Sequence, residues 1–469
     1  MKLKPYYLGL VLVILLGLNA SSAFGVGNTP TSVGSSPLCV DTTINNASVV
    51  KIAGKVVAPG GLVRVPTGST CLPSETPLSF PPTYVKTILV SPGADNVTNG
   101  NNLRTVMASA TAGTLVKVEP GTYDLVTTTL TMKQGVDLEG SGEGLTTITS
   151  QVSDFNFPYT AGTVVITNTS EIRFLTIANT MGNYSNHATV YANGVNKTAK
   201  LTNVTVTASG TDDDTRAGIA NYASASPTIQ NSTISATGSG ANSQNYSIFN
   251  FTSSSPTIQN STIFATGGAY TYGIGNFTSS SPTIQNSTIS ASGGTNNHGI
   301  YNASSATSTI LNSKISASGG AYTFGIYNTV ASAIIQNSTI SATGGTNNRG
   351  IDIATSSAII QNSIISATGG STNYGIDNSQ ASPIIQNSTI SASGGSIQNF
   401  GINNVASSSP TIQNSTVTAS GSGTNTSIKN TGSTAKVGSS QLGVAINGTG
   451  FTCVASYNAN FVALGTDCT

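Results

Sequence analysis

Charged residues are scarce in this chain of 469 residues, where Asp, Glu, Lys and Arg together make up only 7%. An average globular protein carries about a quarter of such residues. The formal net charge is +1, which gives no electrostatic argument for a nucleic acid or an anionic membrane as partner. Because acid–base catalysis requires titratable groups, the sequence also favours a protein without catalytic activity over an enzyme.

Long apolar runs are missing beyond the N-terminus. Lys2 and Lys4 precede an apolar run from Leu8 to Leu18, which is followed by small residues up to Ala23. This pattern is typical of a secretory signal peptide, and the run is too short for a membrane anchor. We therefore predict that residues 1–23 are a signal peptide and that no transmembrane anchor exists. The mature protein is expected to be extracellular, on the cell surface or in the periplasm.

Cysteine is limited to four residues. An even number in a secreted chain favours two disulfides, although three connectivities are open. The pairing of neighbours in the sequence would be Cys39 with Cys71 and Cys453 with Cys468. Both bonds would then stabilise the ends of the chain.

The dominant feature that is present is an internal repeat. A phrase close to SPTIQNSTISATGG recurs at intervals of 25 to 29 residues, counted between its first isoleucines, which are Ile229, Ile258, Ile284, Ile310, Ile335, Ile360, Ile385 and Ile412. A second phrase, close to Gly-Ile-x-Asn, lies between its copies. Repeats of this length indicate a solenoid. Each repeat holds three short extended runs separated by Gly, Asn and Ser.

These runs predict a coil of three strands. Strand one holds Gly-Ile-x-Asn, strand two holds Pro-Thr-Ile-Gln, and strand three holds Thr-Ile-Ser-Ala. Since side chains alternate across a strand, inward isoleucines place the neighbouring Thr, Gln and Ser outside. An Asn corner separates strands two and three, and Asn tolerates the left-handed backbone that a sharp corner needs. The predicted corner residues are Asn203, Asn231, Asn260, Asn286, Asn312, Asn337, Asn362, Asn387 and Asn414.

The segment before the repeats carries a family resemblance. Leu103, Val106, Met107 and Ala110 have helical spacing behind Asn101 and Asn102, which are candidate caps. LVKVEPGTY, LTM, VDLEGSGEG and TTITS follow. This order resembles the opening coils of the pectin-lyase-like superfamily, which implies an all-β, right-handed, single-stranded parallel β-helix with a short capping helix.

The resemblance does not extend to catalytic motifs. The polygalacturonase, pectate lyase and pectinesterase signatures are missing, apart from Asn297-His298-Gly299, so the chain resembles a non-catalytic or uncharacterised branch of the superfamily. We predict roughly twelve coils over residues 89–436. A small cysteine-bounded β module precedes them at residues 24–88, and a C-terminal cap follows at residues 437–469.

One column stands out as a candidate binding site. The residue after the strand-one isoleucine varies from coil to coil, whereas most other positions repeat. Aromatic rings can stack on pyranose rings and polar groups can bond their hydroxyls, so this column predicts a glycan-binding strip. In the resembled superfamily, polysaccharides often bind over this sheet. The candidate ligand-binding residues are Tyr301, Tyr327, Asp352, Asp377 and Lys429.

Two carboxylates one coil apart repel each other unless a cation or Arg349 lies between them. Asp352, Asp377 and Arg349 are therefore also the catalytic candidates, for a glycosidase-like pair or a calcium-assisted lyase. The alternative is that these are ordinary surface residues that bind no ligand. The sequence shows no cofactor motif, and calcium is the candidate ion.

Three further patterns stand out. Asp212, Asp213 and Asp214 precede Arg216, with His187 in the matching position one coil earlier; they form a solvated turn, a metal site or a catalytic cluster. Aromatic residues two positions before the strand-one isoleucine are expected to stack on one another. Thr-x-Ser rows on strand three could order water. The leading hypothesis is glycan binding or adhesion, the alternative is a polysaccharide lyase or glycoside hydrolase, and the third is ice binding.

Overall fold

In the computed structural model, residues 84–153, 159–180 and 186–469 are described in full, together with the backbone of five short strands nearer the N-terminus. The chain divides into two compact units, residues 1–83 and 84–469. In the first unit, three strands form one antiparallel sheet and two strands form another: β1 (Leu38–Asp41) with β4 (Val63–Arg64) and β5 (Glu75–Leu78), and β2 (Val49–Ile52) with β3 (Lys55–Pro59). The predicted signal peptide and the predicted Cys39–Cys71 pair lie outside the residues whose side chains are described.

The second unit is an all-β parallel solenoid of about 13 turns, against the roughly twelve predicted. This confirms the predicted fold, a right-handed single-stranded parallel β-helix. In the described part of the chain, the strand-one segments form a 12-stranded parallel sheet. Its members are β9 (Leu130–Thr131), β12 (Val164–Val165), β14 (His187–Asn193), β16 (Thr215–Tyr222), β19 (Gln244–Asn250), β22 (Tyr270–Asn276), β25 (Asn296–Ala303), β28 (Tyr322–Thr329), β31 (Asn347–Ala354), β34 (Thr372–Ser379), β37 (Gln398–Val405) and β40 (Thr424–Thr431).

The other strands of the described coils belong to one 27-stranded parallel sheet, which bends at the Asn corners. Its members are β6 (Lys86–Val90), β7 (Thr114–Val118), β8 (Gly121–Asp124), β10 (Val136–Glu139), β11 (Thr146–Ser150), β13 (Glu171–Asn179), β15 (Lys200–Gly210), β17 (Thr228–Gln230), β18 (Thr233–Gly238), β20 (Thr257–Gln259), β21 (Thr262–Thr266), β23 (Thr283–Gln285), β24 (Thr288–Ser292), β26 (Thr307–Leu311), β27 (Lys314–Ser318), β29 (Ser332–Gln336), β30 (Thr339–Thr343), β32 (Ala358–Gln361), β33 (Ile364–Thr368), β35 (Ile384–Gln386), β36 (Thr389–Ser393), β38 (Thr411–Gln413), β39 (Thr416–Ser420), β41 (Ala435–Gly438), β42 (Gln441–Leu442), β43 (Phe451–Val454) and β44 (Tyr457–Asn458). The last four strands extend the sheet into the segment predicted to be a cap.

The core is a set of stacked isoleucine rows, as the repeat predicted. In one coil, Ile300 on β25, Ile310 on β26 and Ile315 on β27 are all fully buried. Each lies opposite an isoleucine of the next coil. Along strands two and three, buried and partly exposed residues alternate. Inward isoleucines therefore set the register of the repeated coils.

The Asn corner is confirmed. All nine predicted corner residues have φ between 48° and 51°, in the left-handed region. Asn tolerates this region better than most residues. A serine follows eight of the nine corners and supports them: the Ser313 amide donates to Ser338 Oγ at 3.1 Å, and the Ser338 amide donates to Ser363 Oγ at 3.2 Å.

A second Asn ladder, which the sequence reading missed, runs inside the solenoid. The Asn of Gly-Ile-x-Asn points inward, and each Nδ2 donates to the Oδ1 of the next coil, as from Asn276 to Asn302 and from Asn302 to Asn328 at 2.7 Å. Ile353 takes the Asn position in one coil and breaks the ladder. Asn328 Nδ2 and Asn378 Oδ1 lie on either side of the break, and both are buried without a hydrogen-bond partner.

The predicted capping helix is present, but its predicted cap was wrong. α1 spans Asn96–Ser109, and its N-cap is Asp95, whose Oδ1 accepts a hydrogen bond from the Thr98 amide at 2.8 Å. Asn101 and Asn102 lie inside the helix. The apolar spacing identified the buried face through Leu103 and Met107. It could not place the start, because the first turn of the helix has few apolar residues.

The C-terminal end is closed by the predicted disulfide between Cys453 and Cys468. Both cysteines are buried and join the core that the isoleucines form. No helix in the described part of the chain is long and apolar enough to cross a membrane.

Candidate functional site

The candidate strip, Tyr301, Tyr327, Asp352, Asp377 and Lys429, lies on the outer face of the strand-one sheet. Its residues fall in register in successive coils, with Asn403 between Asp377 and Lys429. Neighbouring parallel strands are about 4.8 Å apart. The strip therefore presents a row of side chains along the solenoid axis.

The same column is not an open surface along its whole length. Ala220 and Phe249, which precede Tyr301, are buried. Tyr159, Tyr222 and Tyr246 pack around Phe249 with ring centroids 5.0 to 6.0 Å away. Aromatic side chains from other positions therefore cover this end of the sheet.

Beside the strip runs an aromatic stack, the column two residues before the strand-one isoleucine. Tyr246 stacks on Tyr272 at 4.4 Å with planes 3° apart, and His298 stacks on Phe324 at 4.7 Å. The Tyr272 and His298 rings are 5.0 Å apart, so the stack is continuous. The predicted stacking is therefore seen. Burial lowers the pKa of His298 to about 3, so its imidazole is neutral.

Arg349 continues the stack with a guanidinium. Its Cζ lies 5.3 Å from the Phe324 ring centre and 5.2 Å from that of Tyr374. Its Nε contacts Asp377 Oδ2 at 2.8 Å and Asp352 Oδ2 at 3.2 Å. The arginine thus lies between the two carboxylates, the arrangement that relieves their repulsion without a metal ion.

The acidic pair is only partly exposed. The side chains of Asp352 and Asp377 are each 16% exposed. Burial, reinforced by the charge of Asp377, raises the pKa of Asp352 to about 7, although Arg349 opposes the shift. Asp377 also accepts a hydrogen bond from Asn403 Nδ2 at 2.8 Å. Carboxylate oxygens fixed in this way can accept hydrogen bonds from ligand hydroxyls.

Lys429 lies at the end of the strip, and its ammonium group also lies over an aromatic ring. Its Nζ lies 4.8 Å from the Phe400 ring centre. Two carboxylates, one guanidinium and one ammonium therefore share the charged half of this face. The tyrosines Tyr301 and Tyr327 form its uncharged half, with ring centroids 5.4 Å apart.

The sequence reading missed two exposed rings on this face. Tyr270 and Tyr322 are 42% and 45% exposed, and they occupy one column with Asn296 between them. A signal was available: the tripeptide Ala-Tyr-Thr occurs at both places, directly after a Gly-Gly pair. The tripeptide lies outside the Gly-Ile-x-Asn phrase, which is why the repeat did not reveal it.

The acidic loop has partners within the protein. Asp213 accepts hydrogen bonds from the amide and the Nδ2 of Asn242, at 2.8 and 3.0 Å. Arg216 is fully buried, donates to the Asp212 carbonyl and Asn245 Oδ1, and lies 3.9 Å from Asp214. His187 and Arg216 are paired between adjacent strands, as predicted. Among the described residues, no group of three or more His, Cys, Asp or Glu could hold a metal.

The Thr-x-Ser rows of strand three are in register on the outer face. Lys314 and Ile364 interrupt the Thr row, and Phe264 interrupts the Ser row. Ile364 and its neighbours Ile359 and Ile384 are exposed. Ice binding remains a prediction without added support.

No protein-family model matches the chain, and no curated protein matches its sequence. Among solved structures, the A-module of mannuronan C-5 epimerase AlgE6 from Azotobacter vinelandii is 16% identical, with a TM-score of 0.49, over 78% of this chain and 96% of that one. The surface adhesin PfbA of Streptococcus pneumoniae is 12% identical, with a TM-score of 0.30, over 80% and 93%. Pectate lyase Pel9A is 13% identical, with a TM-score of 0.29, over 81% and 82%. With TM-scores below 0.5, these likenesses carry no argument about this chain, and the site has to be judged from its own residues.

Proposed function

We propose that this chain is a secreted protein that binds glycans, or mediates adhesion through them, on the outer face of its strand-one sheet. The observation that carries the proposal is the candidate strip itself. Two partly exposed tyrosines continue, coil by coil, into two carboxylates that Arg349 holds in place. This order combines ring faces for sugar rings with fixed acceptors for hydroxyls.

The rigidity of the face supports binding. The rings of the strip pack on the aromatic stack, as Tyr301 does on Tyr272 at 5.6 Å and Tyr327 on Phe324 at 5.1 Å. Their side chains are therefore already ordered before a ligand arrives. A preorganised surface avoids part of the entropy cost of binding.

The test is a polysaccharide and cell-surface glycan panel, probed with the secreted protein in the presence of calcium and of a chelator. We expect binding that falls about tenfold or more when Tyr301→Ala and Tyr327→Ala are combined, because both stacking faces are lost. Phe461→Ala is the matched control, since Phe461 is an exposed aromatic residue outside the strand-one sheet. No binding to any glycan, or binding unchanged in the double variant, contradicts the proposal.

One observation favours a second candidate, a glycoside hydrolase or polysaccharide lyase. Asp352 has a pKa near 7 beside the second carboxylate, so it could hold a proton at neutral pH. An enzyme would release reducing ends or unsaturated sugars from a polysaccharide panel, and Asp352→Asn would abolish the release. Inactivity on a broad panel, with and without calcium, rules this candidate out.

A further inference from the structure

The exposed rings of Tyr270 and Tyr322 have a regular placement. They lie two coils apart in one column, and Asn296 occupies the coil between them. Two strand spacings amount to about 9.6 Å along the solenoid axis. The two exposed rings therefore occupy equivalent positions, separated by one coil that has no aromatic ring in this column.

Tyr270 is held in place by the aromatic stack. Its ring lies 6.5 Å from that of Tyr272 with planes 6° apart, and Tyr272 in turn contacts Tyr301 at 5.6 Å. Tyr270, Tyr272 and Tyr301 thus form a row of rings across the sheet. This row joins Tyr270 to the candidate strip. Because Tyr272 is stacked between the rings of the neighbouring coils, the parallel ring of Tyr270 turns its edge to solvent.

We infer, resting on the proposed function, that this face takes an uncharged polysaccharide with an extended, β-linked chain, whose alternate sugars contact the exposed rings of Tyr270 and Tyr322. In a fully extended β-linked chain, every second sugar presents the same face, and the repeat is close to two strand spacings. A chain of α-linked sugars that coils does not keep its rings in such a line. The spacing of Tyr270 and Tyr322 therefore favours an extended polysaccharide over a coiled one.

The charges of the same face give an acidic polymer no net attraction, because Arg349 and Lys429 balance the two carboxylates. Asp352, Asp377 and Arg349 together carry one net negative charge when both carboxylates are ionised. A polyuronate laid along the strip would bring further carboxylates against this pair. Lys429 is the cation nearest the end of the strip, and its Nζ is already placed over Phe400.

The experiment measures affinity for three soluble polymers: a neutral β-1,4-linked glucomannan, an α-linked dextran and a polyuronate. We expect the tightest binding to glucomannan. Tyr270→Ala and Tyr322→Ala should each weaken it about fivefold, and the double variant should weaken it more strongly. Phe461→Ala again serves as the control, and the thermal unfolding of each variant shows that the fold is retained.

The outcomes separate this inference from the proposed function. Binding that depends on Tyr301 and Tyr327 but not on Tyr270 and Tyr322 overturns the inference and leaves the proposed function standing. Equal or tighter binding to dextran or to the polyuronate also overturns it. If the chain binds no glycan at all, both fall together.

Discussion

The outer faces of the two long sheets differ in how much their residues change from one coil to the next. On strands two and three, most coils present the same Thr, Gln and Ser, and Gln side chains bond each other between coils, as Gln336 does to Gln361 at 2.8 Å. On strand one, the corresponding outer residues pass from aromatic rings to carboxylates to a lysine. Buried isoleucine rows nevertheless line the interior behind both faces.

This difference shows where the fold constrains the sequence. A position repeats when its side chain supports its equivalent in the next coil, through packing or a ladder of hydrogen bonds. A position that varies is free of that constraint, or it serves a local contact such as the stacking of Arg349 between two rings. Candidate binding residues are therefore concentrated on the variable face.

The largest effect should come from a pair of substitutions on β31 that contrasts two inward positions. Ile351→Asn places an amide among isoleucines and should lower the free energy of unfolding by about 4 kcal/mol. Ile353→Asn should change it by less than about 1 kcal/mol, because the new amide can bond Asn328 Nδ2 and Asn378 Oδ1 and complete the ladder. Denaturant unfolding measures both. Equal losses would show that the ladder does not stabilise the coils.

A smaller effect is expected from His298→Phe, which keeps the aromatic stack and removes its titratable member. Burial lowers the pKa of His298 to about 3, so the unfolded chain takes up a proton below about pH 6.5 while the folded chain does not. The native protein should therefore lose stability as the pH falls from about 6.5 towards 3, by about 2 kcal/mol at pH 5.

The phenylalanine variant should lack this component of the acid-induced loss. Melting temperatures between pH 4 and pH 8 give the comparison. Similar stability of the two proteins at pH 8 is the control for retained packing. Parallel pH profiles would show that His298 is protonated in the folded protein.

Asp352→Asn removes a carboxyl group from the charged half of the face. The contribution of that group to stability has the opposite pH dependence from that of His298. The pKa of Asp352 is raised from its usual value to about 7, mainly by burial. Its contribution to stability is therefore present below about pH 4 and is lost as the pH rises through 7. Arg349, 3.2 Å away, offsets part of the cost, so we expect a smaller effect than at His298.

The Asp352→Asn variant should not lose stability between about pH 4 and pH 7, and melting temperatures measure this. Asp213→Asn is a control of opposite sign. Hydrogen bonds from Asn242 lower the pKa of Asp213, an exposed carboxylate. Its contribution should be lost only as the pH falls below about 4. An Asp352→Asn profile parallel to that of the native protein contradicts the assignment.

The smallest change in stability is expected on the outer face of strands two and three, where most residues repeat from coil to coil. Leu311 interrupts the outer Gln column between Gln285 and Gln336. Leu311→Gln should complete the ladder and raise the free energy of unfolding by about 0.5 kcal/mol. Denaturant unfolding checks this, with Leu311→Ala as the control that cannot form the bonds. A loss equal to that of the control would show that outer Gln ladders contribute nothing.

The repeat predicted much of the fold because its signals are local and recur in every coil. Isoleucine spacing placed the three strands, and the corner Asn residues adopt the predicted left-handed backbone. The inner Asn ladder could also have been predicted. The Asn of Gly-Ile-x-Asn lies two positions after the inward isoleucine, so its side chain points to the same side of the strand.

The site was less predictable because it depends on contacts between columns. Register alone aligned Tyr301, Tyr327, Asp352 and Asp377. It could not show that Phe249 in the same column is covered by other rings, or that Arg349 enters the aromatic stack. Those contacts follow from side-chain packing across the sheet, which a single column of the sequence does not contain.

Tyrosine-selective chemical labelling, read by mass spectrometry with and without the tightest-binding glycan of the panel, tests most directly whether the strand-one face binds glycans. The proposal predicts that Tyr301 and Tyr327 are protected by the glycan, while Tyr457, near the C-terminus, reacts equally in both samples. Protection confined to residues outside the strand-one sheet, or no protecting glycan at all, would contradict it.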